Sequence, residues 1–341
     1  MPASRNSLRA AGWGGGDQVG DRGESALLFD LVALAGSTAG AAEVGPGDDA
    51  AGWRPTPGSL VLWSTDGLCE GTDFRRQYQR PYQVGWKAWM AAVSDLAAMG
   101  AVPRGGLLAA ALPGSTSALA LHAIQLGVVE AAAVDGAAVM GGDLSRIDGP
   151  LSLNVTVMGE VTDGPVVRLG GGSAGDWLVV TGSLGLAAAA LHQLEEGMAP
   201  LPPEWRQRLL EPPSRVSAGV ALRAAGATAM TDLSDGLLLD LGRLCASSRV
   251  GAEIWLDRLP IGQGLGATGK GEELALVGGE DFELLAAFPE RLVAGLVSGW
   301  PGELPPVAVI GQLTAHAGTR LLRDRGGDPV DPPARAGFRH F

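Results

Sequence analysis

YQVGWKAWMAAVSDLAAMG, residues 82–100, is the stretch of sequence that decides the fold. Its apolar side chains recur at helical spacing, which puts them on one face of a helix: Trp86, Met90, Val93 and Ala97. Gly100 and then Pro103 supply the stop signal. The run therefore predicts a helix over Tyr82–Met99, on which Asp95 points about 180° away from the apolar stripe at roughly 100° per residue.

Outward from this helix, strand and helix patterns alternate from residue 24 to residue 163. The predicted helices cover 24–35 and 117–133, and the predicted strands cover 59–66, 104–112, 137–142 and 151–161. The turn cluster at Thr162–Pro165 marks a domain boundary. A second set follows, with strands at 176–181, 252–256, 283–288 and 306–311 and helices at 184–195, 214–225 and 236–246.

These patterns predict a two-domain chain of mixed α/β class. Residues 1–23 are Gly-rich and polar and are expected to form a flexible tail. One domain is expected over 24–163 and a second over 164–341. The last ~20 residues contain too many prolines and glycines for a regular element, so an irregular end is expected.

Composition restricts the partners. The 341 residues include 37 acidic and 25 basic side chains, a net charge of −12, which argues against nucleic acid as a ligand. No apolar run approaches the ~18 residues that a membrane span needs, and no signal peptide is expected. With two cysteines, Cys69 and Cys245, neither a disulfide framework nor a four-ligand zinc site is expected, which favours a reducing, cytoplasmic location.

Acidic motifs recur six times, each beside a glycine or at the end of an apolar run. They are GDDA (47–50), STDG (64–67), VSDL (93–96), GGD (141–143), DLSDG (232–236) and GGED (278–281). Each alone has a plain structural reading: a turn, a solvated helix face or, in DLSDG, a helix N-cap. Six of them in a chain with few charges indicate bound divalent cations, and cations in that number usually serve phosphates.

Spacing adds detail to three of these motifs. Asp66 and Asp143 each end a predicted strand beside a glycine, where α/β units collect ligands; the alternative is a β-turn. Asp232 and Asp235 are three residues apart, so a helical turn would bring the two carboxylates together and favour a cation between them. Arg168 begins the Gly-rich run RLGGGSAGD (168–176), which is not a Walker A loop; it is read as a phosphate clamp or as a surface arginine.

Taken in order, GDDAA, STDGLCEG, VSDLAAMGA, GGDLSR, DLSDG and GGEDFE resemble the thiamine-monophosphate kinase family, within the aminoimidazole-ribonucleotide synthetase superfamily. The similarity extends to the C-terminal GFRHF (337–341). It implies a fold with an N-terminal mixed-sheet domain that dimerises and a C-terminal α/β domain. It further implies ATP and thiamine monophosphate as substrates, several Mg²⁺ ions and a homodimer.

The resemblance also implies roles for individual residues. The implied metal ligands are Asp49, Thr65, Asp66, Asp95, Asp143, Asp232 and Asp235. The implied nucleotide contacts are Ser64, Thr65, Gly142, Asp143, Arg168 and Ser234, and the implied catalytic residues are Asp66, Asp143 and Arg168. The implied contacts to the thiamine phosphate are Asp73, Glu280 and Phe338, although family members often carry His where this chain has Asp73.

The chemistry that this predicts is direct in-line transfer of the γ-phosphoryl group. The acceptor is a phosphate oxygen that is already largely ionised near pH 7, so no general base is required. This agrees with four histidines that show neither metal spacing nor a neighbouring nucleophile. Three alternatives stay open from the residues alone: a sister synthetase with another acceptor, a catalytically idle binding protein, and a metal-dependent phosphatase.

Overall fold

The computed structural model describes residues 4–36, 42–198, 200–318 and 320–340, and the chain divides into two compact units. Unit 1 holds the described residues up to Leu96, together with Val102–Asp163 and Leu210–Ser214. Unit 2 holds Ala97–Ala101, Gly164–Leu209 and the described residues from Arg215 onward.

Unit 1 is built on a four-stranded mixed sheet. Its strands are β1 (Leu60–Cys69), β2 (Val102–Leu112), β3 (Ala138–Arg146) and β4 (Ser152–Val161). Its helices are α1 (Arg5–Arg9), α2 (Val19–Arg22), α3 (Glu24–Ala35), α4 (Pro81–Ala98, whose last two residues belong to unit 2) and α5 (Ala118–Val134). The strands lie in the order β1-β4-β2-β3, and β2 and β3 form the parallel pair.

Helix α4 is more deeply buried than its sequence pattern predicts. Its apolar residues were assigned to one face, but burial extends around most of the helix, and Trp89 and Val84 are completely buried. Asp95 is the exposed residue, as its predicted orientation requires. Close packing against α5 explains the difference: a side chain at Gly85 would overlap the backbone oxygen of Ile124, so the two helix backbones are in direct contact.

The N-terminal segment is not a loose tail where the structure describes it. Residues 1–3 lie outside the described part, but α1 packs against α5, with Leu8 only 2% exposed. Arg9 donates two hydrogen bonds of 2.8 Å to the carboxylate of Glu130. The Gly-rich composition gave no signal for the burial of Leu8 or for the Arg9–Glu130 ion pair, and both contacts hold the segment in place.

Two strands run further than predicted. β1 continues to Cys69 and β3 to Arg146, so Asp66 and Asp143 lie inside strands rather than at their ends. The pairing explains the extension, since Asp66 lies opposite Val155 of β4 and Asp143 opposite Ala109 of β2. The β-turn alternative for these two aspartates is therefore wrong.

Unit 2 is built on a seven-stranded sheet in the order β11-β10-β7-β9-β5-β8-β6. Its strands are β5 (Trp177–Thr181), β6 (Ala229–Asp232), β7 (Gly251–Trp255), β8 (Leu284–Phe288), β9 (Val307–Thr314), β10 (Arg320–Arg323) and β11 (Pro329–Val330). Its helices are α6 (Leu186–Glu195), α7 (Pro203–Leu210, whose last residue belongs to unit 1), α8 (Val216–Ala224), α9 (Leu237–Ser248), α10 (Gly271–Val277) and α11 (Glu290–Gly299).

Several elements of unit 2 were not predicted. Helix α7 lies in a Pro-rich stretch, and its Pro203 occupies the first helical position, where a missing N–H costs nothing. Strand β11 and the end of β10 fall in the stretch that was expected to be irregular, where they form a short antiparallel pair. The core that supports the sheet includes Leu178, Leu241 and Leu285, all completely buried.

Candidate active site

The candidate residues fall into both units, and each unit is described by itself. In unit 1 the sheet register aligns two of the motifs. Gly67 of the STDG motif on β1 pairs with Asn154 of β4, and Asn154 also pairs with Ala109 of β2. Ala109 in turn pairs with Asp143 of the GGD motif on β3. With about 4.8 Å between strands, Gly67 and Asp143 are roughly 14 Å apart along this row.

Alternation along β1 separates two residues that were both expected to bind metal. Successive side chains of a strand point to opposite faces, so Thr65 and Asp66 do not share a face. Thr65 is exposed, and its hydroxyl lies 3.0 Å from that of Thr156. Asp66 is partly buried and accepts a 2.8 Å hydrogen bond from the amide of Gly67. In this arrangement the two side chains do not chelate one ion.

Ser64 and Asp95 are brought together as the motifs suggest. The Ser64 hydroxyl donates a short hydrogen bond to the Asp95 carboxylate, which links β1 to α4. Asp95 keeps an exposed edge, yet the protein atoms around it displace enough water to raise the pKa of its carboxyl group. The Ser64 hydrogen bond opposes that rise.

Asp143 and Gly142 play different parts. The Asp143 side chain is exposed and accepts a 2.7 Å hydrogen bond from the Ser145 hydroxyl. A side chain at Gly142 would overlap the backbone oxygen of Leu108 on β2, so the pairing of strands requires this glycine. Its expected phosphate contact stays a prediction.

Asp49 and Asp73 lie in loops of unit 1. Asp49 is exposed within a turn that is closed by the bridge between Val44 and Gly52. Asp73 turns its carboxylate onto its own loop and accepts a 2.7 Å hydrogen bond from the amide of Cys69. The ammonium group of the buried Lys87 donates to the Asp73 carbonyl oxygen at 2.8 Å. This carboxylate therefore has a structural partner already.

In unit 2 the DLSDG and GGEDFE motifs lie side by side. The amide of Glu280 donates to the carbonyl oxygen of Ser234 at 2.8 Å, and the amide of Phe282 donates to that of Leu233 at 2.9 Å. These bonds extend the pairing of β6 with β8 into the loops. Glu280 and Phe282 have φ angles of 66° and 47°, in the left-handed region, a form of strain that clusters at functional sites.

Asp240, which the sequence reasoning missed, supplies the capping of helix α9. Its carboxylate accepts from the amides of Asp235 and Gly236 at 3.0 and 3.1 Å. The N-cap residue itself is Gly236, so the reading of Asp232 and Asp235 as the cap is wrong. Burial raises the pKa of Asp240 to about 6, against the opposing effect of those two amides. An acid four residues into the helix was the signal that could have identified it.

Asp235 is ion-paired. Its carboxylate lies 2.5 Å from a guanidinium nitrogen of Arg243, which also contacts Asp240 at 2.8 Å. Asp232 is buried at the end of β6. The C-terminal segment reaches the same motif, since the amide of Phe338 donates to the Asp235 carbonyl oxygen at 2.9 Å; Phe338 itself is 43% exposed. Phe341, the end of the predicted GFRHF motif, lies outside the described residues.

Arg168 precedes the glycine-rich loop, and its side chain is exposed. The loop has a structural partner in α9, because the amides of Gly171 and Gly172 donate to the Ser248 hydroxyl at 3.3 and 3.2 Å. These contacts account for the glycines as packing residues. They leave Arg168 available on the surface.

The side chains that could hold a metal do not form a preassembled cage. Within the described residues, no group of three or more His, Cys, Asp and Glu side chains lies close enough to hold an ion. Mg²⁺ commonly binds through one or two carboxylates, with phosphate oxygens and water completing the shell. The exposed carboxylates of Asp49, Asp95 and Asp143 fit that mode, since their donors are all oxygen. Of the helices in the described part of the chain, none could cross a membrane.

Comparison with known proteins decides the family. The model of the AIR synthase related protein N-terminal domain matches residues 47–161, and that of its C-terminal domain matches residues 173–323. The thiamine-monophosphate kinase of Escherichia coli strain K12 is 36% identical over 308 residues, which cover 88% of this chain and 92% of that protein. The chain belongs to the thiamine-monophosphate kinase family.

Other thiamine-monophosphate kinases agree. That of Rhodopirellula baltica is 36% identical over 292 residues, covering 81% of this chain and 84% of that protein. The crystal structure of the enzyme from Stenotrophomonas maltophilia superposes with a TM-score of 0.76 at 35% identity, covering 88% of this chain and 96% of that one. The predicted two-domain mixed α/β fold of the aminoimidazole-ribonucleotide synthetase type is thus confirmed, and the chain is a kinase.

Proposed function

We propose that the protein transfers the γ-phosphoryl group of ATP directly to thiamine monophosphate, forming thiamine diphosphate and ADP with the assistance of several Mg²⁺ ions. One observation carries this most strongly. The solved complex of AaThiL with AMPPCP and TMP superposes on this chain with a TM-score of 0.73 at 29% identity, covering 96% of this chain and 100% of that one. A relative with the same fold thus holds an ATP analogue and TMP together.

The barrier to such a transfer is electrostatic. Two unit charges about 4 Å apart repel by about 4 kcal/mol at an effective dielectric of roughly 20. That is about a thousandfold in rate for each unscreened pair. Residues that position donor and acceptor in line and that compensate phosphate charge therefore account for most of the catalysis.

We assign these tasks to residues of both units. The exposed guanidinium group of Arg168 would bind phosphate oxygens. The nucleotide contacts would come from Ser64, Thr65, Gly142, Asp143 and Ser234, and the contacts to thiamine monophosphate from Asp73, Glu280 and Phe338. Asp66 and Asp143 would act with Arg168 as the catalytic residues.

Mg²⁺ would be held by Asp49, Thr65, Asp66, Asp95, Asp143, Asp232 and Asp235. When bound, it supplies charge neutralisation at the phosphate oxygens. The all-oxygen donor set supports this, and the exposure of Asp49 and Asp143 leaves room for ligand phosphates and water. Since the acceptor phosphate is already ionised, no residue needs to remove a proton. Trapping a phosphorylated protein during turnover would contradict direct transfer.

The proposal includes a homodimer that forms through the N-terminal domain, 24–163, and a cytoplasmic location. The exposed face of the unit 1 sheet supports the dimer, since Trp63 on β1 is 59% exposed there. Within the described residues Cys69 and Cys245 form no disulfide bond, which agrees with a reducing compartment. Sedimentation of the wild type and of Trp63→Arg tests the assembly: a dimer that the variant weakens is expected, and a monomeric wild type contradicts it.

The activity is tested by ADP release with ATP, Mg²⁺ and thiamine monophosphate. ADP release that requires thiamine monophosphate and yields thiamine diphosphate is expected. Asp232→Asn should lose it, whereas the matched control Asp257→Asn, with an exposed aspartate of the same unit, should retain it.

The same assay separates the alternatives. ATP turnover that is indifferent to thiamine monophosphate would indicate a sister synthetase with another acceptor. Phosphate release from thiamine monophosphate without ATP would indicate a phosphatase. Nucleotide binding without any turnover would indicate a binding protein.

A further inference from the structure

A concave site lies in unit 2, and none of the candidate active-site residues lines it. A cavity of about 910 Å³ opens between α6, α7, the turn at Leu265–Thr268 and α10. Its volume is in the range of sites that enclose small molecules, roughly 300–1,000 Å³. None of the acidic motifs, nor Arg168 nor Phe338, contributes to its lining.

The wall of this cavity is mostly apolar and is fixed around one aromatic ring. Its apolar lining residues are Ala189, Met198, Pro202, Pro203, Trp205 and Leu274. The indole N–H of Trp205 donates to the carbonyl oxygen of Gln263 at 3.0 Å. The polar atom of the ring is therefore satisfied within the protein. Trp205 is only 8% exposed, so the small part of the ring that reaches the cavity presents carbon atoms to a ligand. Such a wall suits a flat aromatic molecule.

Charge at the rim favours a cation. Glu196 and Glu204 both line the cavity. The ammonium group of Lys270 lies 2.9 Å from the Nε2 atom of His192, and the Glu196 carboxylate lies 3.2 Å from the same atom, so these three side chains form one polar chain along the rim. Two carboxylates against one ammonium group attract a positively charged ligand and repel a phosphate. An aromatic ring beside them adds a cation–π attraction.

Three helices that line the cavity, α6, α7 and α10, are connected to the segment Glu280–Glu283. The amide of Gly185, at the start of α6, donates to the Asp281 carboxylate at 2.8 Å. Arg208 of α7 lies 2.6 Å from the Glu283 carboxylate. Helix α10 ends at Val277 and continues directly into the GGED motif. A ligand that shifts or rigidifies these helices would act on that segment.

We propose that this cavity is a second ligand site for a flat heteroaromatic cation, and that its occupancy stabilises the Glu280–Glu283 segment. The class of ligand follows from the wall and the rim. Its identity rests on the proposed function: unphosphorylated thiamine carries a thiazolium cation and a pyrimidine ring. The phosphates of the proposed substrate and product would face Glu196 and Glu204, so the cavity selects the unphosphorylated form.

Thiamine binding to the full-length protein, measured by calorimetry with saturating thiamine monophosphate, Mg²⁺ and a non-hydrolysable ATP analogue, tests the site. One equivalent of thiamine should still bind. The double variant Glu196→Gln/Glu204→Gln should bind it at least tenfold more weakly, and Trp205→Leu should weaken it as well. Glu195→Gln, which removes one carboxylate charge from an exposed neighbour that does not line the cavity, should bind as the wild type does.

Each result has a definite meaning. Absence of thiamine binding, displacement of thiamine by thiamine monophosphate, or equal binding by all variants would overturn the proposal. Hydrogen exchange at the amides of Glu280 and Phe282 should slow when thiamine binds, and unchanged exchange would overturn the coupling to that segment. Because none of these readouts requires turnover, a protein that binds thiamine here but lacks kinase activity would refute the proposed function and leave this site standing.

Discussion

The backbone amide of Glu280 donates to the carbonyl oxygen of Ser234 at 2.8 Å. This bond joins two acidic motifs that are far apart in the sequence, and it holds Glu280 at a φ of 66°. A left-handed conformation costs a non-glycine residue about 1–2 kcal/mol. A glutamate held at this cost, beside glycines at 278 and 279, motivates the proposed need for its carboxylate at the substrate.

Glu280→Gln tests that need. The variant keeps the size and backbone conformation and removes the charge, so the free energy of unfolding should change by about 1 kcal/mol or less. If the carboxylate contacts the cationic part of thiamine monophosphate, KM for that substrate should rise about tenfold, which corresponds to about 1.4 kcal/mol. Steady-state kinetics and urea unfolding measure both. Glu272→Gln, with an exposed glutamate on α10, is the control, and an unchanged KM would remove Glu280 from the substrate contacts.

Glu283, at the other end of the GGEDFE motif, belongs to a buried ion cluster. Glu283 is completely buried and lies 2.5 Å from Arg215 and 2.6 Å from Arg208, and it accepts a 2.7 Å hydrogen bond from the Thr181 hydroxyl. Removing one partner from such a cluster leaves uncompensated buried charge.

Glu283→Gln should therefore lower the free energy of unfolding by about 3–5 kcal/mol. Glu290→Gln, an exposed glutamate in the first turn of α11, should change it by about 0.5 kcal/mol or less. Urea unfolding of both variants makes the comparison. Equal stability of the two would mean that water or a rearranged arginine compensates the lost charge.

How far the sequence predicted this molecule depends on the kind of signal. Helix α3 has the predicted bounds Glu24–Ala35, and the fold class and family follow from periodicity and from motif order. Strand ends were wrong at Asp66 and Asp143, because pairing with neighbouring strands, which no local pattern encodes, extends β1 and β3. Asp240 and Glu283 were missed for the same reason: their partners are backbone amides and arginines that only the tertiary structure brings near.

Asp73 shows how a departure from the family pattern is resolved by geometry. Its carboxylate accepts a hydrogen bond from the amide of Cys69, so the loop needs a hydrogen-bond acceptor at position 73 rather than a negative charge. Asp73→Asn keeps an acceptor both for that amide and for the proposed contact to thiamine monophosphate, so it should keep the stability and KM of the wild type. Asp73→Ala removes the acceptor and should lose about 1 kcal/mol of stability and raise KM. If Asn and Ala raise KM equally at unchanged stability, the charge of Asp73 binds substrate directly.

Asp281 gives the protein a predicted pH dependence. Burial raises the pKa of its carboxyl group to about 7. The hydrogen bond from the Gly185 amide lowers this pKa, and the negative charge of Glu283 raises it further. In the unfolded chain the pKa is about 3.9. Between about pH 4 and pH 7 the folded protein thus binds a proton that the unfolded chain has released, so this group favours folding at low pH and its contribution is lost as the pH rises towards 7.

Asp281→Asn carries no titrating group but keeps an oxygen for the Gly185 amide. Relative to the variant, the wild type should lose stability steadily as urea unfolding is repeated at pH 5, 6 and 7, and the two curves should run parallel above about pH 8. Asp257→Asn, an exposed aspartate, should follow the wild type throughout. Parallel curves from pH 5 upward would mean that Asp281 is ionised in the folded protein. The arginines that neutralise Glu283 would then compensate its charge as well, and one ion cluster would extend over the whole Asp281–Glu283 segment.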